Sequence, residues 1–89
     1  MVSREAVVNS ASGLHLKPAA VFSQEAAKYK SIITFTVNDY TANAKSVLSV
    51  LAACVKPGEV IEIVCSGQDE EEALQNLCDL TENGLGECI

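Results

Sequence analysis

A chain of 89 residues carrying a net charge of −6 is one domain, 1–89, and its acidity argues against nucleic acid, whose phosphates call for a basic surface. With 48% apolar residues it can fold unaided, but so short a chain buries one sheet under a few helices and encloses no deep active site. A surface site or a binding module is favoured over an enzyme with a large pocket.

Glu5 to Asn9, led in by Met1 to Arg4, reads as a first short strand, and Ser10-Ala11-Ser12-Gly13 as a loop. Pro18 suits the first turn of a helix, where its missing N–H costs nothing. Ala19, Phe22, Ala26 and Tyr29 then recur at helical spacing, predicting a helix over about residues 16–28. Ile32 to Val37 is a β-branched and aromatic strand, Asn38-Asp39 a turn, and Tyr40 to Asn43 the return strand of a hairpin.

Val47, Val50, Leu51 and Cys54 follow the i, i+3, i+4, i+7 pattern of a second, short helix, with Ser46 placed as its N-cap. Lys56-Pro57-Gly58-Glu59 is a loop. Val60 to Cys65 alternates, with Ile61, Ile63 and Cys65 on one face, and is the fourth strand. Asp69 to Glu72 puts carboxylates in the first turn of a third helix, where the dipole favours them and solvent bathes them. Leu74, Leu77, Cys78 and Thr81 form its apolar stripe, and Asn83-Gly84 stops it. The order β-α-β-β-α-β-α gives an α+β fold: a four-stranded antiparallel sheet with three helices on one face, which buries all three apolar stripes at once.

Charge is uneven. The basic residues, Arg4, Lys17, Lys28, Lys30, Lys45 and Lys56, all precede Glu59, and only acids follow. A positive zone can therefore sit beside an acidic body. Cys54, Cys65, Cys78 and Cys88 form no C-x-x-C pair and, with a single histidine, no zinc-ligand pattern. No basic-then-apolar leader opens the sequence and no stretch is long enough to span a bilayer. The expectation is a cytoplasmic protein with reduced, mostly buried thiols, with no bound metal, no cofactor and no membrane insertion.

One histidine, His15, stands in Gly13-Leu14-His15-Leu16-Lys17-Pro18, just before the first helix. A helix start offers unpaired N–H groups and a partial positive charge, and Lys17 adds a full one. Imidazole is a competent nucleophile near neutral pH, so a histidine there can accept a phosphoryl group whose charge the backbone holds. The same placement is also met by an ordinary surface histidine, and the residues alone leave both readings open. Val47 to Val55 contains no charged residue. Leu48 lies off the helical stripe, so Leu16, Ala20, Val47, Leu48 and Leu51 can form an apolar docking patch around His15, or simply core spillover. Ser46 is first an N-cap, and a phosphate added there would face free N–H groups.

Gly13-Leu14-His15-Leu16-Lys17-Pro18-Ala19 resembles the active-site motif of the HPr family, Gly-apolar-His-x-Arg-Pro-Ala. Ala44-Lys45-Ser46-Val47-Leu48-Ser49-Val50-Leu51 resembles the family's second signature, a regulatory serine at the start of a short apolar helix. Length and element order agree from end to end. The resemblance implies an open-faced β-sandwich and a monomeric phosphocarrier of the sugar phosphotransferase system. His15 would take a phosphoryl group on Nδ1 from the phosphoenolpyruvate-dependent first enzyme, with Lys17 stabilising it, and pass it to a sugar-specific component. Ser46 would be the regulatory site of a serine kinase and phosphatase, with a transcriptional regulator as a further partner. Two departures stand out: Lys17 replaces the family arginine, and Ser49 and Ala53-Cys54 replace positions often held by glycine or other small residues. They point to a divergent paralogue. The rival readings are a non-relaying regulatory module on the same fold and a thiol-redox protein using the cysteines.

Overall fold

The computed structural model describes residues 1–86. Its elements are β1 (Val2–Val7), α1 (Leu16–Ala26), β2 (Ile32–Val37), β3 (Tyr40–Asn43), α2 (Val47–Ala52), β4 (Val60–Ser66) and α3 (Glu70–Glu82), the order expected from sequence. The sheet is antiparallel throughout, in the order β1-β4-β2-β3. β4 therefore lies inside the sheet, and its alternation is the cleanest in the chain: Ile61, Ile63 and Cys65 are buried while Val60, Glu62 and Ser66 face out.

The helices cover one face. Ile33, Phe35 and Val37 of β2 meet Ala19, Phe22 and Ala26 of α1 and Ala73, Leu77 and Cys78 of α3 in a single core cluster. Phe22 and Phe35 pack edge to face, ring centroids 5.4 Å apart and planes at 81°, the arrangement their quadrupoles favour. The stripe of α3 is centred one residue earlier than the sequence suggests: Ala73 is fully buried and Leu74 half-buried.

Element ends differ where tertiary pairing or chain geometry decides them. β1 starts at Val2 because the whole segment pairs with β4, from Val2 opposite Cys65 to Val7 opposite Val60. α1 stops at Ala26, and the next residues tighten into i to i+3 bonds, Lys28 N–H to Glu25 O and Tyr29 N–H to Ala26 O. In the hairpin, Asn38 and Asp39 both take positive φ, +48° and +68°, the two-residue turn whose twist matches the strands. α3 ends as Asn83-Gly84 foretells: Gly84 takes φ +94° and the Leu85 N–H returns to Leu80 O at 3.0 Å, burying Leu85.

The acidic start of α3 is not simply solvated. Asp69 makes no capping bond to its own helix. Its carboxylate instead accepts the backbone N–H of Lys30 at 2.8 Å, that of Ser31 at 3.0 Å, and the Ser31 hydroxyl. This ties the turn after α1 to the start of α3. Beside it, Gly67 leaves no room for a side chain, since a Cβ there would lie 2.7 Å from Ser31 Cα. The three donors hold the Asp69 carboxyl down at about 2, against 3.8 for a free aspartate, with the Ser31 hydroxyl first among the causes. A carboxyl depressed in the folded state stabilises the fold above its unfolded value, and that stabilisation is lost as pH falls. Stability of the wild type should therefore decline between about pH 4 and pH 2. Asp69→Asn should be less stable at neutral pH and should show a shallower decline across that acid range, as read from denaturation midpoints.

Candidate functional site

The residues before α1 form a turn set by close backbone contact. Gly13 N–H bonds to Ser10 O at 3.2 Å, and the Ser10 hydroxyl donates to Gly13 O. Gly13 takes φ +68°, and a Cβ built on it would fall 2.2 Å from Val55 O and 3.0 Å from Lys56 Cα. Only glycine allows this approach. Leu14 follows, with its side chain buried and its N–H donated to Val55 O at 3.0 Å. The loop before α1 is thus clasped, backbone to backbone, to the segment after α2.

That clasp delivers His15 to the N-cap position of α1, exposed and with extended backbone (φ −87°, ψ −165°). Its carbonyl accepts the first intrahelical bond, from Ala19 N–H at 2.8 Å, while its imidazole makes no capping bond. The N–H groups of Leu16 and Lys17 precede that first bond, the His15 side chain does not cap them, and the first turn carries no acid. Pro18 is packed inward, and Lys17 is exposed without an ion pair among the described residues. The arrangement sets an exposed imidazole beside backbone donors, a helix dipole and a cation, which is what holding a multiply charged anion on that ring requires.

A groove of about 520 Å³ opens next to the imidazole, lined by Leu14, His15 and Leu16 on one side and Leu51, Cys54 and Lys56 on the other. Of the residues singled out from sequence, it gathers His15, Leu16 and Leu51. Lys17, Ala20, Ser46, Val47 and Leu48 lie outside it, on the same two helices or at their starts. Leu16 and Leu48 are 67% and 80% exposed, Val47 is exposed, and Ala20 and Leu51 are half-buried. Ser46 is the N-cap of α2: its hydroxyl accepts the Ser49 N–H at 3.3 Å, and the Ser49 hydroxyl in turn accepts the Asn43 N–H at 2.9 Å.

A model described as the PTS HPr component phosphorylation site matches residues 2–83. The chain belongs to the HPr family. Phosphocarrier protein HPr of Mycoplasma capricolum is 37% identical over 75 residues, 84% of each chain. The HPr-like protein Crh of Bacillus subtilis is 34% identical over 77 residues, 86% of this chain and 91% of its own. The crystal structure of HPr-C-His from Thermoanaerobacter tengcongensis superposes with a TM-score of 0.95 at 36% identity, covering both chains in full. Another structure from that organism is described as an HPr dimer. Membership of the family supports a phosphocarrier role in the phosphotransferase system.

One expectation needs correcting. Val47, Leu51 and Cys54 were expected to form the buried stripe of α2 with Val50, yet only Val50 is buried. The helix is six residues long and ends in tightened bonds, Ala53 N–H to Val50 O and Cys54 N–H to Leu51 O, before Cys54 turns left-handed at φ +53°. The stripe cannot continue inward past that turn, so its flanks stay at the surface. The described thiols are mostly buried, as expected: Cys65 and Cys78 are buried, while Cys54 is exposed. Cys88 lies outside the described residues. Burial pushes the Cys65 thiol up to about 11, which makes it a poor redox group. Cys54 and Lys56 were not recognised from sequence as neighbours of His15. The signal was the Gly13 backbone contact, which becomes readable only once the two loops are folded together.

Cys54 also explains why small residues and glycine suit this end of α2. A side chain in the left-handed region costs roughly 1–2 kcal/mol that glycine avoids. Cys54→Gly should raise stability by about 1 kcal/mol, and Gly13→Ala should lower it by more than about 1 kcal/mol by forcing the two loops apart. Chemical denaturation of both variants checks the pair.

Proposed function

We propose that the protein is a phosphoryl carrier that accepts a phosphoryl group on His15 from the phosphoenolpyruvate-dependent first enzyme and passes it to a sugar-specific component. The observation that carries the reading is the exposed His15 imidazole at the start of α1, beside the N–H groups of Leu16 and Lys17, which precede the first intrahelical bond. The Nδ1 lone pair forms the bond to phosphorus as the bond from phosphorus to the donor breaks, and the reverse exchange delivers the group onward. The backbone donors and the Lys17 ammonium offset the negative charge on the phosphoryl oxygens. Lysine keeps the charge of the family arginine but offers a point contact in place of a planar fork. The carrier works as a cytoplasmic monomer in this reading, with light scattering as the check on its size.

The docking surface in this reading is Leu16, Ala20, Val47, Leu48 and Leu51, an apolar centre of the kind interfaces bury. Ser46 is the regulatory site for a serine kinase and phosphatase, and its modified form is what a transcriptional regulator would read. A phosphate there adds negative charge beside the docking patch at a helix start that tolerates it, so it blocks partners without unfolding α2.

Incubation with phosphoenolpyruvate and a first enzyme should add one acid-labile phosphoryl group, seen by intact mass, and His15→Ala should abolish it. Leu48→Glu and Ser46→Asp should each weaken transfer from the first enzyme by about 1–3 kcal/mol with circular dichroism unchanged. Full labelling of His15→Ala would overturn the assignment. An unlabelled wild type would favour the non-relaying module.

A further inference from the structure

We propose that Lys56 is a second cation of the phosphoryl site, its ammonium facing the group carried on His15 from across the groove. The inference rests on the phosphocarrier reading above and adds to it a residue on a different loop. Lys56 lines the same groove as His15 and is exposed. Its backbone is fixed relative to the histidine more firmly than an ordinary loop residue. A Cβ on Gly13 would lie 3.0 Å from both Lys56 Cα and Lys56 C, and the neighbouring Val55 carbonyl holds the Leu14 N–H. Pro57 follows and restricts Lys56 to an extended backbone.

Glu59, on the same loop, does not pair with the ammonium: one of its carboxylate oxygens accepts the Lys56 backbone N–H at 2.8 Å and the other the Asn38 side-chain amide at 3.2 Å. Those two bonds hold the Glu59 carboxyl below its ordinary range, with the Lys56 charge the smallest contribution. Lys56 makes no ion pair among the described residues, whereas Lys28 is paired with Glu25 at 3.0 Å and Lys45 donates its ammonium to Tyr29 O at 2.6 Å. The other titratable groups bordering this space are the Cys54 thiol in the groove and Lys17 on the first turn of α1. Two point charges, one on the first turn of α1 and one on the loop after α2, give the phosphoryl oxygens the two-sided contact that the single ammonium of Lys17 does not.

The test uses the full chain and inorganic phosphate as the probe, followed by the shifts of the Leu16 and Lys17 amides. Lys56→Gln should weaken phosphate binding roughly three- to ten-fold at low salt, with the difference shrinking as ionic strength rises, and Lys56→Arg should restore it. The fraction of phosphorylated carrier at equilibrium with the first enzyme should fall in Lys56→Gln and recover in Lys56→Arg. Phosphate affinity unchanged in Lys56→Gln would overturn the proposal, even if transfer slowed, because Lys56 would then serve the partner's surface. Labelling that survives His15→Ala would instead sink the phosphocarrier reading, and the phosphate titration would still judge Lys56 on its own.

Discussion

The site depends on one backbone contact, the approach of Gly13 and Leu14 to Val55 and Lys56. The same two loops are also joined where β1 ends, by Val8 N–H to Glu59 O at 2.9 Å and Gly58 N–H to Val8 O at 2.8 Å, but the contact at Leu14 is the one next to His15 in sequence. A hydrogen bond of 3.0 Å from Leu14 to Val55 O and a glycine with no space for a Cβ fix the two strands of chain together. Burial of Leu14 on one side and Val55 on the other keeps water from competing for that bond. The histidine that follows is exposed but its backbone is not loose, because the residue before it is core and Pro18 and Ala19 after it are core as well. A reactive side chain on a rigid base is what a relay needs, since the group must meet donor and acceptor in the same geometry each time.

Two kinds of surface meet at that base. The helix start, Lys17 and Lys56 supply positive potential, while Leu16, Leu48 and the groove residues Leu14, Leu51 and Val55 are apolar. An apolar surround lowers the local dielectric once a partner covers it, so the same few donors act more strongly on a phosphoryl group in the complex than in open solvent. The acids are concentrated elsewhere, in the start of α3, where Asp69 serves as a structural clasp.

Much of this was legible in the sequence because the signals were local. The alternation of Ile61, Ile63 and Cys65, the Asn38-Asp39 turn, the Ser46 cap and the Asn83-Gly84 stop each depend on a few neighbouring residues, and each element formed there. The position of His15 at the start of α1 followed from Pro18 in the same way. What the sequence hid was set by distant partners. The length of β1 is decided by β4, more than fifty residues away. The apolar period through Val47, Leu51 and Cys54 looked like a buried stripe, but a period cannot reveal that a helix ends after six residues in a left-handed turn. The carboxylate of Asp69 resembled an ordinary first-turn acid, and its use by Lys30 and Ser31 required the fold. Lys56 resembled any loop lysine for the same reason.

Amide hydrogen exchange at Leu14 tests the central contact most directly, because that N–H, next to His15 in sequence, donates the bond that joins the two loops there. If the clasp is part of the core, the Leu14 amide should exchange only with global opening, with protection near that of Phe35 and Ile63 in the middle of the sheet. Exchange of the Leu14 amide as fast as that of an exposed loop residue would show that the base under His15 opens on its own, and would contradict the account.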